Sequence, residues 1–209
     1  MVMPQNDPES GASRSERRRA GIRERIVESA EKLMRERGVE AVTVEHITDA
    51  AHVGHGTFYL HFDTKAEVLR PVIDRLAARI HERVDRLTEG REDPALRLAT
   101  GIRIALQSIS ADPLWHWYVF QSGTPFRRLA EGMGAPPVED MNRGIAVGRF
   151  LVSNLRATWS FIDGALIGVL SSAKPVEGGA EIAAELVLRS LGVAPEEAAL
   201  IARLPIDRH

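Results

Sequence analysis

The sequence predicts an all-α protein, on three observations. Apolar residues recur at spacings of three and four along most of the 209 residues, and no run alternates apolar with polar as a half-buried strand would. Asp93-Pro94, Asp112-Pro113 and Thr124-Pro125 each set a capping side chain before a proline at the first helical position, three ready-made helix starts. With 44% hydrophobic residues the chain can bury a large core. The absence of cysteine excludes a disulfide framework, thiolate metal ligands and a cysteine nucleophile, and fits a reducing, cytoplasmic setting. The apolar run from Phe161 to Leu170 is short and interrupted by Asp163, and the N-terminus lacks a signal-peptide core, so no membrane partner is expected. A net charge of −2 argues against a protein that coats nucleic acid without preference, so any DNA affinity must be local.

The elements follow in order. Residues 1–20 lack apolar periodicity and read as a flexible basic arm; between positions 14 and 25 lie six arginines (Arg14, Arg17, Arg18, Arg19, Arg23, Arg25) against Glu16 and Glu24. Such an arm is either a solvated tail or a contact to phosphate and the minor groove. Helix 1 carries Ile22, Ile26, Ala30, Leu33 and Met34 on one face and stops at Gly38. Helix 2 is capped by Thr43 and continues with Val44, Ile47, Ala50 and Ala51. His52-Val53-Gly54 breaks it. In helix 3 Phe58 and Phe62 point inward, while His55, Gly56, Thr57, Tyr59 and His61 point outward. Two short helices joined by a three-residue turn form a helix-turn-helix, whose second helix enters the major groove of a duplex. Helix 4 opens with Thr64-Lys65-Ala66-Glu67, a capping box, and carries Leu69, Ile73, Leu76, Ile80, Val84 and Leu87, with Pro71 inside it as a predicted kink.

Further on, one helix holds Leu96, Ala99, Ile102, Leu106 and Ile109, and a short aromatic one runs from Leu114 to Phe120. A helix from Thr124-Pro125 ends near Gly132, and another contains Val138, Met141 and Ile145. The longest pattern, Leu151, Leu155, Trp159, Ile162, Leu166 and Val169, is followed by a helix over Ala180 to Leu191 and a last one after Pro195. The predicted division is 1–20 as the arm, 21–70 as a helix-turn-helix DNA-binding domain, and 71–209 as a larger helical domain.

Candidate DNA contacts are Arg17, Arg18, Arg19 and Arg23 from the arm, Thr43, and His55, Gly56, Thr57, Tyr59, His61 and Lys65. His55 opens helix 3 and so suits a base edge; Gly56 allows close approach. The four histidines at 46, 52, 55 and 61 do not share a helical face, and no cysteine stands among them, so no metal and no other cofactor is assigned. Trp115, Trp117, Tyr118, Phe120 and Phe126 concentrate aromatic rings between positions 115 and 126. Such rings wall either an apolar ligand pocket or a plain core. Asn154 and Trp159 join them as candidate ligand residues, and His116, Gln121, Arg149 and Arg156 are further polar candidates.

The segment Ala51-His52-Val53-Gly54-His55-Gly56-Thr57-Phe58-Tyr59-Leu60-His61-Phe62, followed by Thr64, Lys65, Glu67 and Leu69, resembles the TetR family of bacterial transcriptional regulators. Motif-level similarity covers roughly residues 20 to 75. His52 stands where the family often has Gly, and Gly54 where a Ser or Thr usually caps the recognition helix. The resemblance implies that Thr57, Tyr59 and Lys65 approach the DNA backbone, that the C-terminal domain binds a small effector, and that its last long helices build a four-helix dimer interface. The interface candidates are Ile162, Leu166, Val169, Ile182, Leu186 and Val187. The resulting expectation is a homodimeric regulator of double-stranded operator DNA, a repressor released by a small apolar or aromatic effector. The rival is an all-α small-molecule-binding protein or enzyme without DNA binding. No nucleophile-base pair, phosphate loop or metal spacing supports catalysis, so no enzymatic activity is assigned.

Overall fold

The computed structural model describes residues 14–121, 136–172 and 176–206, and among them every regular element is a helix. The chain divides into two compact units, Met1–Val72 and Ile73–His209. The division falls inside one helix, α4 (Lys65–Thr88), just past Pro71.

The first unit is built on α1 (Arg14–Arg37), α2 (Val44–Ala51) and α3 (His55–Tyr59). Ile26, Val27, Ala30 and Met34 of α1 meet Ile47 and Ala51 of α2 and Phe58 and Phe62 around α3, all at most 4% exposed. Helix α1 begins earlier than its apolar face does. Residues 14–20, expected as part of a flexible arm, are helical and exposed. Extending a helix already nucleated by a packed face adds one bond per residue, which arginine and glutamate tolerate well without apolar contacts. At its other end, Gly38 takes φ +83° and its N–H donates to the Met34 carbonyl at 3.0 Å, the predicted stop.

Helix α2 ends on His52 at φ 52°, ψ 50°, the left-handed region. The N–H of His52 donates to Asp49 O and that of Val53 to Thr48 O at 3.0 Å, closing the last turn in a Schellman-type pattern. Left-handed geometry costs a residue with a Cβ about 1 kcal/mol or more. His52→Gly is therefore expected to raise the unfolding free energy of the first unit by about 1 kcal/mol, read by urea denaturation. A loss of stability would mean that the imidazole makes a compensating contact.

In the second unit α5 (Pro94–Ala111) is the central element. It packs against α6 (Pro113–Phe120), α7 (Pro136–Ala146), α8 (Leu155–Leu170), α9 (Gly179–Ser190) and α10 (Pro195–Ala202), and most of its residues are buried. Asp93 and Asp112 cap α5 and α6 through Oδ1, each accepting an N–H at 2.9 Å ahead of a proline at the helix start, as predicted. The helix expected after Thr124-Pro125 lies outside the described residues. The buried Arg103 of α5 holds Glu181 of α9 at 2.9 Å and donates to the Leu204 carbonyl at 2.7 Å. Helix α8 starts four residues later than its apolar pattern suggests. Asn154 caps it, Oδ1 accepting from Ala157 N–H at 3.0 Å, and Leu151 stays outside the helix, 75% exposed.

Candidate DNA interface and effector cavity

The turn of the DNA-reading motif falls where predicted, α3 starts at His55 but ends at Tyr59, so that His61 and Phe62 lie just past it, and the outward set separates by environment. Thr43 Oγ1 accepts from His46 N–H at 3.2 Å, while His46 Nδ1 accepts from Thr43 N–H at 3.3 Å. This is a capping box with histidine where glutamate usually stands, and it leaves the Thr43 hydroxyl proton available to a phosphate. Gly54 caps α3 without a side-chain bond. His55 and Gly56 are exposed, Thr57 is half-buried, and Tyr59 is 47% exposed with its ring edge-on to those of His55 and Phe58. The open ring of Tyr59 and the first residues of α3 together form the surface that can meet base edges and backbone.

Arg19 and Arg23 belong to that surface in a defined way. Arg19 Nη2 donates to the Leu60 carbonyl at 3.3 Å, and the Arg23 guanidinium lies 4.9 Å from the centre of the Phe62 ring. Both cations are thus fastened beside the end of α3, and Arg17 and Arg18, which directly precede Arg19 on α1, are exposed. Burial, then the charges of Arg19 and Arg23, hold the His61 imidazole below its ordinary value. His61 is therefore neutral near pH 7, and the positive charge at this corner resides on the arginines.

Lys65 takes a different place from the one expected. Its Nζ donates to Val39 O at 2.9 Å and Val42 O at 2.8 Å, tying the start of α4 to the loop between α1 and α2. Lys65→Met is expected to cost about 1–2 kcal/mol of stability by leaving the Val42 carbonyl without this donor and the Val39 carbonyl with the long 3.4 Å bond from Val42 N–H, while the salt dependence of DNA binding hardly changes. A fall of about one in that salt slope would assign Lys65 to a phosphate instead.

In the second unit a cavity of about 50 Å³ lies among α4, α5, α7 and α8. Ile80, His81 and Val84 of α4, Ile102 of α5, and Trp159, Ile162, Asp163 and Leu166 of α8 are in its wall. Arg97 also faces it. Its guanidinium is held by Asp140 Oδ1 at 2.7 Å, Asp85 Oδ1 at 2.7 Å and Thr88 Oγ1 at 3.3 Å. Asp163 is 6% exposed, and burial pushes its carboxyl up to about 6.

Of the six candidate ligand residues among the described ones, Trp159 alone is in this wall. Trp115 and Tyr118 are core residues, 1% and 3% exposed, with ring centres 6.0 Å apart. Trp117 and Phe120 are half-buried on α6. Asn154 is exposed, serves as the cap of α8 and is not in the cavity wall. Phe126 lies outside the described residues. Arg149 is held by Asp93 and Glu197, with N–O distances of 2.8–3.2 Å, and knits the loop before α8 to α5 and α10. His116, Gln121 and Arg156 are exposed.

The six interface candidates split evenly. Ile162, Leu166 and Val187 are buried in their own chain, at 0%, 8% and 4% exposure, and present little surface to a second copy; Ile162 and Leu166 are in the cavity wall. Val169, Ile182 and Leu186 remain exposed along a groove between α8 and α9. Phe161, 64% exposed on α8, adds to this apolar surface and is not singled out by the sequence. Among the described residues no helix is long and apolar enough to cross a membrane, and no three His, Asp or Glu side chains gather as metal ligands.

Two family models match the chain: residues 26–72 match the bacterial regulatory proteins of the tetR family, and residues 93–204 match the tetracyclin repressor-like C-terminal domain. The HTH-type transcriptional repressor KstR2 of Rhodococcus jostii is 31% identical over 156 residues, covering 67% of this chain and 73% of its own. The HTH-type transcriptional regulator TtgR of Pseudomonas putida is 37% identical over 70 residues, 34% of this chain and 31% of its own. Among solved structures, RolR in complex with resorcinol superposes with a TM-score of 0.77 at 29% identity, covering 92% of this chain and 98% of that one. The recognition motif, the helices described in the second unit and these matches agree, and the chain belongs to the TetR family of transcriptional regulators.

Proposed function

We propose that the protein is a homodimeric repressor that binds a near-palindromic operator through α3 and is released by a compact apolar or aromatic effector held among α4, α5, α7 and α8. The observation that carries this reading is that α4 is shared by both units and also walls the cavity, through Ile80, His81 and Val84. A ligand there has a direct mechanical route to the DNA-reading unit. The size of the cavity supports a shift of populations: at about 50 Å³ it admits a few waters, well below the roughly 150 Å³ of a cavity that takes up benzene. A ring-sized effector must widen it, and so favours a chain in which α4 has moved. That difference in affinity between the two arrangements is what lowers operator affinity.

The DNA contacts assigned to this reading are Arg17, Arg18, Arg19, Arg23, Thr43, His55, Gly56, Thr57 and Tyr59, with His61 as a neutral hydrogen-bonding group. Phe161, Val169, Ile182 and Leu186 supply the apolar contacts of the dimer. Resorcinol in RolR supports a monocyclic aromatic effector class, and the name of KstR2 supports repression over activation. The test is fluorescence anisotropy of a labelled operator fragment, with resorcinol as the first probe. Release of the fragment as the probe is added, with the protein still dimeric by light scattering, is the expected result. Operator affinity unmoved by resorcinol and by a panel of monocyclic phenols would replace this reading with a regulator that answers to a protein partner.

A further inference from the structure

Asp163 of α8 lies in the wall of the cavity. Its Oδ1 is buried and accepts no hydrogen bond among the described residues. The ionisable groups that share the cavity wall are His81 of α4, Arg97 of α5 and Asp140 of α7. Arg97 and Asp140 are bonded to each other at 2.7 Å, and Arg97 is further held by Asp85 and Thr88. The remainder near Asp163 on its own helix is apolar, with Trp159, Ile162 and Leu166. A carboxylate oxygen withdrawn from water without a donor is destabilising, and such a group is retained where something outside the chain supplies the donor.

Resting on the reading of this cavity as the effector site, we propose that Asp163 Oδ1 anchors the effector, which is a compact, neutral, ring-sized molecule carrying a hydroxyl that donates to it. The apolar wall takes the ring, and the carboxylate takes the O–H in a charge-assisted bond, about twice as strong as a neutral one. A hydroxyl has one proton to place and finds one open acceptor. An ammonium has three, more than Asp163 Oδ1 can satisfy by itself. Selection therefore acts on the presence of the hydroxyl: an analogue of equal size without it fills the cavity, excludes water and leaves Asp163 unpartnered.

The experiment is isothermal titration of the purified protein at pH 7.5 with phenol, toluene and benzylamine, repeated on Asp163→Leu and Asp163→Asn. The wild type is expected to prefer phenol over toluene and over benzylamine by about tenfold or more. Asp163→Leu is expected to lose that preference and to bind toluene at least as well as phenol. Asp163→Asn, which keeps the shape and an acceptor oxygen, is expected to fall between them, so the result does not depend on the leucine variant alone. Equal binding of phenol and toluene to the wild type, tighter binding of benzylamine, or a phenol preference that survives Asp163→Leu would each overturn the anchor while leaving the cavity as an effector site. Failure of all three probes to bind the wild type at millimolar concentration would overturn the effector-site reading, and the anchor with it.

Discussion

Phe58→Ala is expected to abolish specific operator binding while the second unit stays folded. Phe58 is fully buried, with the ring centres of Tyr59 and Phe62 at 5.4 and 5.8 Å. Helix α3 has five residues, far fewer than an isolated helix needs to hold itself in water, so its direction depends on this ring. Truncating a buried phenylalanine costs about 3–5 kcal/mol, and the first unit is small enough for that loss to disorganise the motif. The arginines of α1 keep their charge in the variant. A weak, salt-sensitive attraction to any DNA should remain, with specific affinity reduced about a hundredfold or more. Anisotropy with operator and unrelated fragments reads the first effect, and protease protection of the second unit reads the second. Retained specific affinity would mean that α3 is oriented by something other than its aromatic packing.

Asp163→Leu is expected to stabilise the protein by about 2–3 kcal/mol at pH 7, with a gain that shrinks as pH falls. The direction follows from the native carboxyl, raised from an ordinary 3.8 to about 6 by burial. Below about pH 4 the group is protonated in both folded and unfolded chains and contributes nothing. Between about 4 and 6 the unfolded chain releases its proton first, so native stability declines as pH rises, and above about 6 the full loss is present. About two pH units at 1.36 kcal/mol each set the size. The cavity beside Asp163 has room for part of the larger leucine side chain. Denaturation midpoints of both proteins at pH 4.5 and pH 7.5 check this. A leucine variant less stable than the wild type at both values would show that Asp163 has a structural partner. Greater stability with lost effector response is the familiar trade between a relaxed fold and a working site.

How much of the fold and the site is legible in the sequence depends on whether a feature is local. Thr43, Asp93 and Asp112 cap their helices as predicted, because a side chain reaching an N–H two or three residues away needs no knowledge of the rest of the fold. The turn at His52 falls where the sequence places it for the same reason. Elements that end by tertiary contact or by propagation are less legible: α1 runs back to Arg14, and α8 waits for Asn154 although Leu151 continues its apolar register. The sides of α8 cannot be ranked from sequence, because the helix is apolar nearly all round. Ile162 and Leu166 are internal, while Phe161 and Val169 are open. The aromatic cluster misleads by its chemistry, since a ring fills a core as well as it walls a pocket; Trp115 and Tyr118 take the first role. The best clue to the cavity is the charge inside the most apolar run of the C-terminal half. Asp163 argues against a membrane span, and the same oddity marks the polar point of a buried space.

Sequence-specific DNA reading by α3 is tested by titrating the purified protein against the intergenic DNA flanking its own gene, at two salt concentrations, with unrelated DNA as competitor. The expected result is tight binding that unrelated DNA cannot displace and that survives the higher salt with reduced affinity, because α3 reads bases while the α1 arginines hold phosphate. Weak and equal binding to both DNAs, vanishing as salt rises, would contradict it and leave the arginines as a source of non-specific attraction alone.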